Sequence, residues 1–253
     1  MTNLNPKAVL RFLLLCLYRI YQLVIGVPVM LTSTILAAIL TIILSSIGIK
    51  WGSYYPAHYW AKIFCWINLV TVSVKGKENV SRTTSYVFAA NHQGAFDIFS
   101  IYGFLGHDFK WMMKQSLRNI PLVGYSCYRA GHIFVDRSST AAVRHTMEIA
   151  EKRLQGGASL VVFPEGARTW DGHIRTFRKG AFQLAMEFKL PVVPVSIDGA
   201  FDVMPRTSYI PRWGHITLTI HKPLPAPTDE TSRNAIMAET RKVIASSLPE
   251  RFK

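Results

Sequence analysis

The most reactive pairing in the sequence is His92 and Asp97, within residues 91–97 (NHQGAFD). A carboxylate on one imidazole nitrogen fixes the tautomer and leaves the other nitrogen as a base. An offset of five points two side chains to different faces of a continuous helix. Across a turn that opens a helix they can meet, and Gly94 permits such a turn. No GxSxG elbow occurs in the chain, so the pair is a base with its orienter but without a protein nucleophile. That set suits direct attack by a substrate hydroxyl on an activated acyl group. The plainer alternative is an Asp97 that caps a helix with His92 packed beside it.

A second run, residues 163–169 (FPEGART), follows another apolar stretch. Pro164 and Gly166 force a turn there, which is expected to set Glu165 and Arg168 side by side over one sheet edge. The guanidinium fork of Arg168 suits a phosphate, and Glu165 would orient it or accept a hydroxyl. Arg175, Arg178 and Lys179 precede Gly180 at a helix start, the makings of a phosphate cradle. The plainer alternative is a surface salt bridge and a solvated basic loop. Between the two runs lie Lys114 and Arg137, the latter just past a strand. Three strand ends thus carry His92, Arg137 and Glu165 with Arg168, and their convergence on one cleft is the site expectation. The remaining histidines are scattered without HExxH spacing, and Cys16, Cys65 and Cys127 lack CxxC spacing. No metal site and no disulfide framework is expected, and a reduced compartment is.

These residues need strand ends to hold them. Short apolar or alternating runs at 70–75, 86–90, 133–135, 159–163, 192–197 and 216–220 predict strands. Helical patterns occupy 97–105, 139–154, 179–189 and 232–247. The alternation predicts an α/β domain over residues 70–253, a mixed, mostly parallel sheet covered by helices.

The chain of 253 residues is 49% apolar and only 17% charged, which excludes a disordered polymer. Twenty-nine Lys and Arg against fifteen Asp and Glu give a net charge of +14. Seven basic residues and no acidic one precede Glu78. Nucleic acid, anionic lipid or an anionic substrate would suit that balance. No nucleic-acid signature is present, and the apolar character of the same end favours lipid. Residues 20–49 hold no charge, long enough to span a bilayer. Helices over 8–26 and 29–48, bent tightly at Gly26-Val27-Pro28, predict a two-helix membrane hairpin over residues 1–50. Lys7, Arg11 and Lys50 at its outer ends place both on the cytoplasmic face of the inner membrane. A single span over 29–49 is the alternative; a cleaved signal peptide fits poorly, because the apolar stretch is too long. Residues 51–69, rich in Trp and Tyr, predict an interfacial aromatic helix that also packs on the main domain.

Residues 85–200 resemble the glycerolipid acyltransferase family, whose characteristic members acylate lysophosphatidic acid. NHQGAFD resembles the family's NHxxxxD block, residues 114–137 its second block, FPEGART its FPEGTRS block, and Val193-Pro194-Val195 its apolar fourth. The resemblance implies His92 as general base and Asp97 as its orienter. It implies that Arg137, Glu165, Gly166 and Arg168, with Lys114, hold a phosphate-bearing acceptor. The implied partners are the phospholipid bilayer, lysophosphatidic acid and a thioester co-substrate, acyl-CoA or acyl-acyl-carrier protein; no cofactor is implied. Gly94 stands where Ser is frequent and Ala167 where Thr is usual, which touches acceptor preference. A lyso-ornithine lipid or another lysophospholipid is therefore the alternative acceptor. A non-catalytic membrane lipid-binding protein is the alternative of a different class.

Overall fold

The computed structural model describes residues 6–136, 138–154 and 157–253. The first elements are α1 (Pro6–Tyr21), a π-helical turn at Gln22–Gly26 and α2 (Val27–Ser46). Together they form one continuous 41-residue helix, Pro6–Ser46. The expected bend at Gly26-Val27-Pro28 is therefore absent, and both Gly26 (φ −60°, ψ −54°) and Val27 (φ −61°, ψ −50°) are helical. The reason lies in the wide turn. Val27 N–H bonds Gln22 O, five residues back, and this loosening accommodates the ring of Pro28, which would otherwise press on the carbonyl four residues back.

A two-helix unit does form, but one element later. After a 3₁₀ turn at Lys50–Ser53, α3 (Tyr55–Ile67) doubles back along α2. A Cβ on Gly52 would lie 2.2 Å from Leu44 Cβ, so only glycine lets the chain turn this tightly. Trp60 Nε1 donates to Thr34 Oγ1 across the pair at 2.9 Å. The expected aromatic helix is thus α3. It buries Ala61 and Cys65 in the core, while Tyr55, Tyr59 and Trp66 stay exposed. The long helix is apolar enough to cross a bilayer, and only 11% of its most apolar window is covered by the rest of the chain.

The remaining elements in chain order are β1 (Val70–Lys75), β2 (Val87–Ala90), α4 (Phe96–Phe104), β3 (Phe109–Lys114), α5 (Val123–Arg129), β4 (Ile133–Val135), α6 (Thr140–Leu154), β5 (Ser159–Val162), α7 (Gly180–Glu187), β6 (Val192–Asp198), α8 (Ala200–Val203), β7 (Gly214–Ile220) and α9 (Glu230–Ser246). The seven strands make one sheet in the order β1-β7-β6-β2-β5-β3-β4. All neighbours are parallel except β6 and β7. The mixed, mostly parallel sheet read from the sequence is therefore the observed one. Strands β2 and β5 are buried on both faces, which is why they read as unbroken apolar runs. Phe88, Val193 and Val195 face a core shared with α3 and α4. Val87, Ala89 and Leu160 face the opposite core, with Phe182 and Leu184 of α7. Strand β3 was not expected, although its apolar Phe109, Trp111 and Met113 recur at every second position.

Candidate active site

The loop between β2 and α4 is anchored before the chemistry starts. Asn91 is fully buried and exchanges both amide atoms with the Ile197 backbone on β6, at 2.9 and 2.8 Å. His92 and Asp97 then meet as their spacing allowed, with Nδ1 to Oδ2 at 2.8 Å. The same Oδ2 accepts the backbone N–H groups of Gln93 (2.7 Å) and Gly94 (2.9 Å). Asp97 therefore ties down the turn and holds the imidazole at once; it does not cap α4, whose N-cap is Ala95 without a side-chain bond. A proton on Nδ1, donated to Asp97, leaves Nε2 with a lone pair. Gly94 has a packing reason: a Cβ there would fall 2.3 Å from Ala200 O on α8.

The backbone and the ring face of His92 are held as well. Its N–H donates to Glu165 Oε1 at 2.8 Å, and its carbonyl accepts Thr169 N–H at 3.0 Å. Its ring lies flat on Phe163, with centroids 3.9 Å apart and planes 8° apart. Phe163 is backed by Trp111 at 5.4 Å, and Trp111 by Tyr102 at 6.0 Å. This column of rings contributes one wall of a cavity of about 850 Å³. His92, Lys114, Gly166, Ala167 and Arg178 line that cavity, together with the apolar side chains of Met112, Met113 and Leu117. A smaller pocket of about 80 Å³ shares Trp60, Tyr102, Cys127 and His132 with it and reaches Thr34 and Ala38 of α2. The two pockets thus share walls, one holding the imidazole and the other bordering the long apolar helix. Burial pushes the Cys127 thiol up to about 11, so this sulfur is a poor nucleophile at neutral pH.

The residues expected from the second run divide. Gly166 and Lys114 join His92 around the cavity, whereas Glu165 and Arg168 do not line it. The expected pairing of Glu165 with Arg168 is not formed. Gly166 has φ +78°, and the turn carries the Glu165 carboxylate inward beneath the His92 peptide. Its second oxygen accepts Arg175 N–H at 3.0 Å. Burial pushes Glu165 up to about 7, against the pull of these two amide bonds, and the nearby Asp97 adds to the rise. Arg168 is half-buried, and its carbonyl accepts Arg206 Nη1 at 3.0 Å. Among the described residues, the guanidinium that reaches the cavity belongs to Arg178. Its Nε lies 2.9 Å from where a Cβ on Gly166 would sit, so the missing side chain makes its room. Gly180 and Ala181, at the start of α7, line the same region. Arg137 lies outside the described residues. The sequence pattern flagged Arg178 within the basic cluster but did not single it out, and it carried no signal for the stacking of Phe163 and Trp111 on the imidazole.

Comparison with known proteins gives consistent results. The sequence model of the Acyltransferase family matches residues 71–198, just over half of the chain. A 1-acyl-sn-glycerol-3-phosphate acyltransferase of Chlamydomonas reinhardtii is 33% identical over 181 residues, covering 70% of this chain and 53% of that protein. A chloroplastic 1-acyl-sn-glycerol-3-phosphate acyltransferase of Arabidopsis thaliana is 32% identical over 200 residues, covering 76% and 54%. The matched regions span about half the length of these curated relatives. The crystal structure of the 1-acyl-sn-glycerophosphate (LPA) acyltransferase PlsC from Thermotoga maritima superposes with a TM-score of 0.72 at 26% identity, covering 94% of this chain and 96% of that one.

Proposed function

The chain belongs to the Acyltransferase family, and on that premise we propose that it moves a fatty acyl group from a thioester to the sn-2 hydroxyl of lysophosphatidic acid, forming phosphatidic acid. One observation carries the reading. A histidine oriented by a buried carboxylate opens onto a large apolar cavity that also holds Lys114 and Arg178. The relatives and the superposable crystal structure, named as acyltransferases of this acceptor, support the same reaction.

In this mechanism His92 Nε2 takes the proton of the sn-2 hydroxyl. The alkoxide attacks the thioester carbonyl, the C–O bond forms, and the tetrahedral intermediate collapses with cleavage of the C–S bond. The thiolate leaves with the proton returned from His92. Asp97 keeps the ring in its tautomer and stabilises the charge it gains. Lys114, Arg178 and the start of α7 bind the acceptor phosphate, and the family resemblance adds Arg137 as a further cation. The apolar wall of Met112, Met113 and Leu117 takes acyl chain. The reaction calls for no metal and no cofactor beyond the co-substrate, which is acyl-CoA or acyl-acyl-carrier protein.

The long helix serves the same reaction. Both the acceptor and the product are lipids, and drawing one into water costs roughly 0.8 kcal/mol per methylene exposed. An enzyme seated on the cytoplasmic face of the inner membrane avoids that cost.

The test is transfer by detergent-purified protein to a panel of acceptors, offered each thioester class in turn. Phosphatidic acid from lysophosphatidic acid is the expected product. Equal or better use of a phosphate-free lyso-ornithine lipid would move the acceptor assignment, and no transfer to any acceptor would remove the enzyme reading.

A further inference from the structure

Glu165 is only 3% exposed and takes no part in the cavity wall. We propose that Glu165 is a positioning residue that acts through His92, holding the peptide of the base at a fixed depth while touching neither substrate. The inference rests on the acyl-transfer reading and adds a role within it.

The geometry supplies the reasoning. One carboxylate accepts two backbone N–H groups from distant segments, His92 through Oε1 and Arg175 through Oε2. Each donor takes one oxygen, and an ionised carboxylate is the strongest acceptor for both. The Arg175 segment is itself fixed. Gln93 Nε2 donates to Gly172 O at 2.6 Å, Ile174 N–H to Phe252 O at 3.1 Å, and Arg178 N–H to Pro164 O at 2.9 Å. The turn also returns a bond, from Thr169 N–H to the His92 carbonyl. His92 is thereby referenced to the same loop that carries Arg178, so proton-abstracting atom and anion-binding cation share one frame. Buried and absent from the cavity wall, this carboxylate presents no oxygen to an acceptor hydroxyl.

Two variants test this. Glu165→Gln keeps the shape but sets an NH₂ group against one of the two backbone donors, and Glu165→Asp keeps both oxygens on a shorter stem. For Glu165→Gln, kcat should fall about 10–100-fold, the scale of a misplaced base, while KM for lysophosphatidic acid holds at the wild-type value. Amide hydrogen exchange over residues 91–97 should quicken in the same variant, and Glu165→Asp should lose less on both counts. A raised KM with kcat retained would make Glu165 an acceptor ligand and overturn the proposal. So would wild-type kcat and wild-type exchange together. Should Glu165→Gln not fold, the kcat, KM and exchange of Glu165→Asp are judged by the same outcomes. Absence of transfer by the wild-type protein would instead defeat the acyl-transfer reading, and the exchange arm would still report on the clamp.

Discussion

The two ends of the proposed catalytic cleft are built on opposite principles. At the base end, His92 is held through its N–H, its carbonyl, its ring face and Nδ1. At the cationic end, Lys114 and Arg178 are long, exposed side chains around an open space. Proton transfer depends on angstrom-level placement, so a rigid shell is needed there. Anion binding depends on charge and tolerates movement, so flexible stems suffice. Losses at the base end should therefore appear in kcat and losses at the cationic end in KM.

The largest effect separates the ends most sharply. His92→Ala should lower kcat by about 10²–10⁴-fold, with thermal stability and vesicle binding retained; a rate near wild type would end the role of the base. Asp97→Asn should cost about 10²-fold in kcat, since an amide accepts the backbone donors but does not stabilise an imidazolium equally. A loss confined to KM would shift Asp97 to the binding side of the comparison. Arg178→Ala should raise acceptor KM about tenfold, with Arg178→Lys recovering part of it. If Arg168→Ala gave the larger KM effect, the assignment of the cavity guanidinium would be wrong.

The smallest effect concerns pH. Glu165 is raised to about 7 in the fold, faced by the charges of Asp97 and Arg175 and by the amides of His92 and Arg175. A carboxyl with a raised folded value favours the folded state fully below its unfolded value of about 4.5, and that contribution is lost as pH rises through about 7. Thermal denaturation from pH 5 to 8 should show stability declining by at most about 3 kcal/mol from this group, and Glu165→Gln should flatten that decline. An unchanged slope would mean the carboxyl does not titrate there. Ionisation strengthens the clamp on His92, so activity should rise over the range in which this stability falls.

How much could be read beforehand also differs between the ends. The His92–Asp97 contact was legible because both residues sit in one loop, where spacing governs geometry. The buried strands were legible as apolar runs, and β3 was missed although Phe109, Trp111 and Met113 kept the period. The fate of Glu165 was not legible. Its partners are backbone amides, which carry no residue signature, and His92 lies 73 positions away. Likewise, the choice of Arg178 over Arg168 turns on the positive φ of Gly166. At Pro28 a local rule predicted a break that one π-helical turn absorbs.

The oriented imidazole is tested most directly by ¹⁵N NMR of histidine-labelled protein, with the His92 signals assigned by loss in His92→Gln. At a pH where the ring is neutral, Nδ1 should carry the proton and Nε2 should give the shift of an unprotonated nitrogen, with Asp97→Asn mixing the two forms. A neutral ring protonated on Nε2 in the wild-type protein would contradict the account.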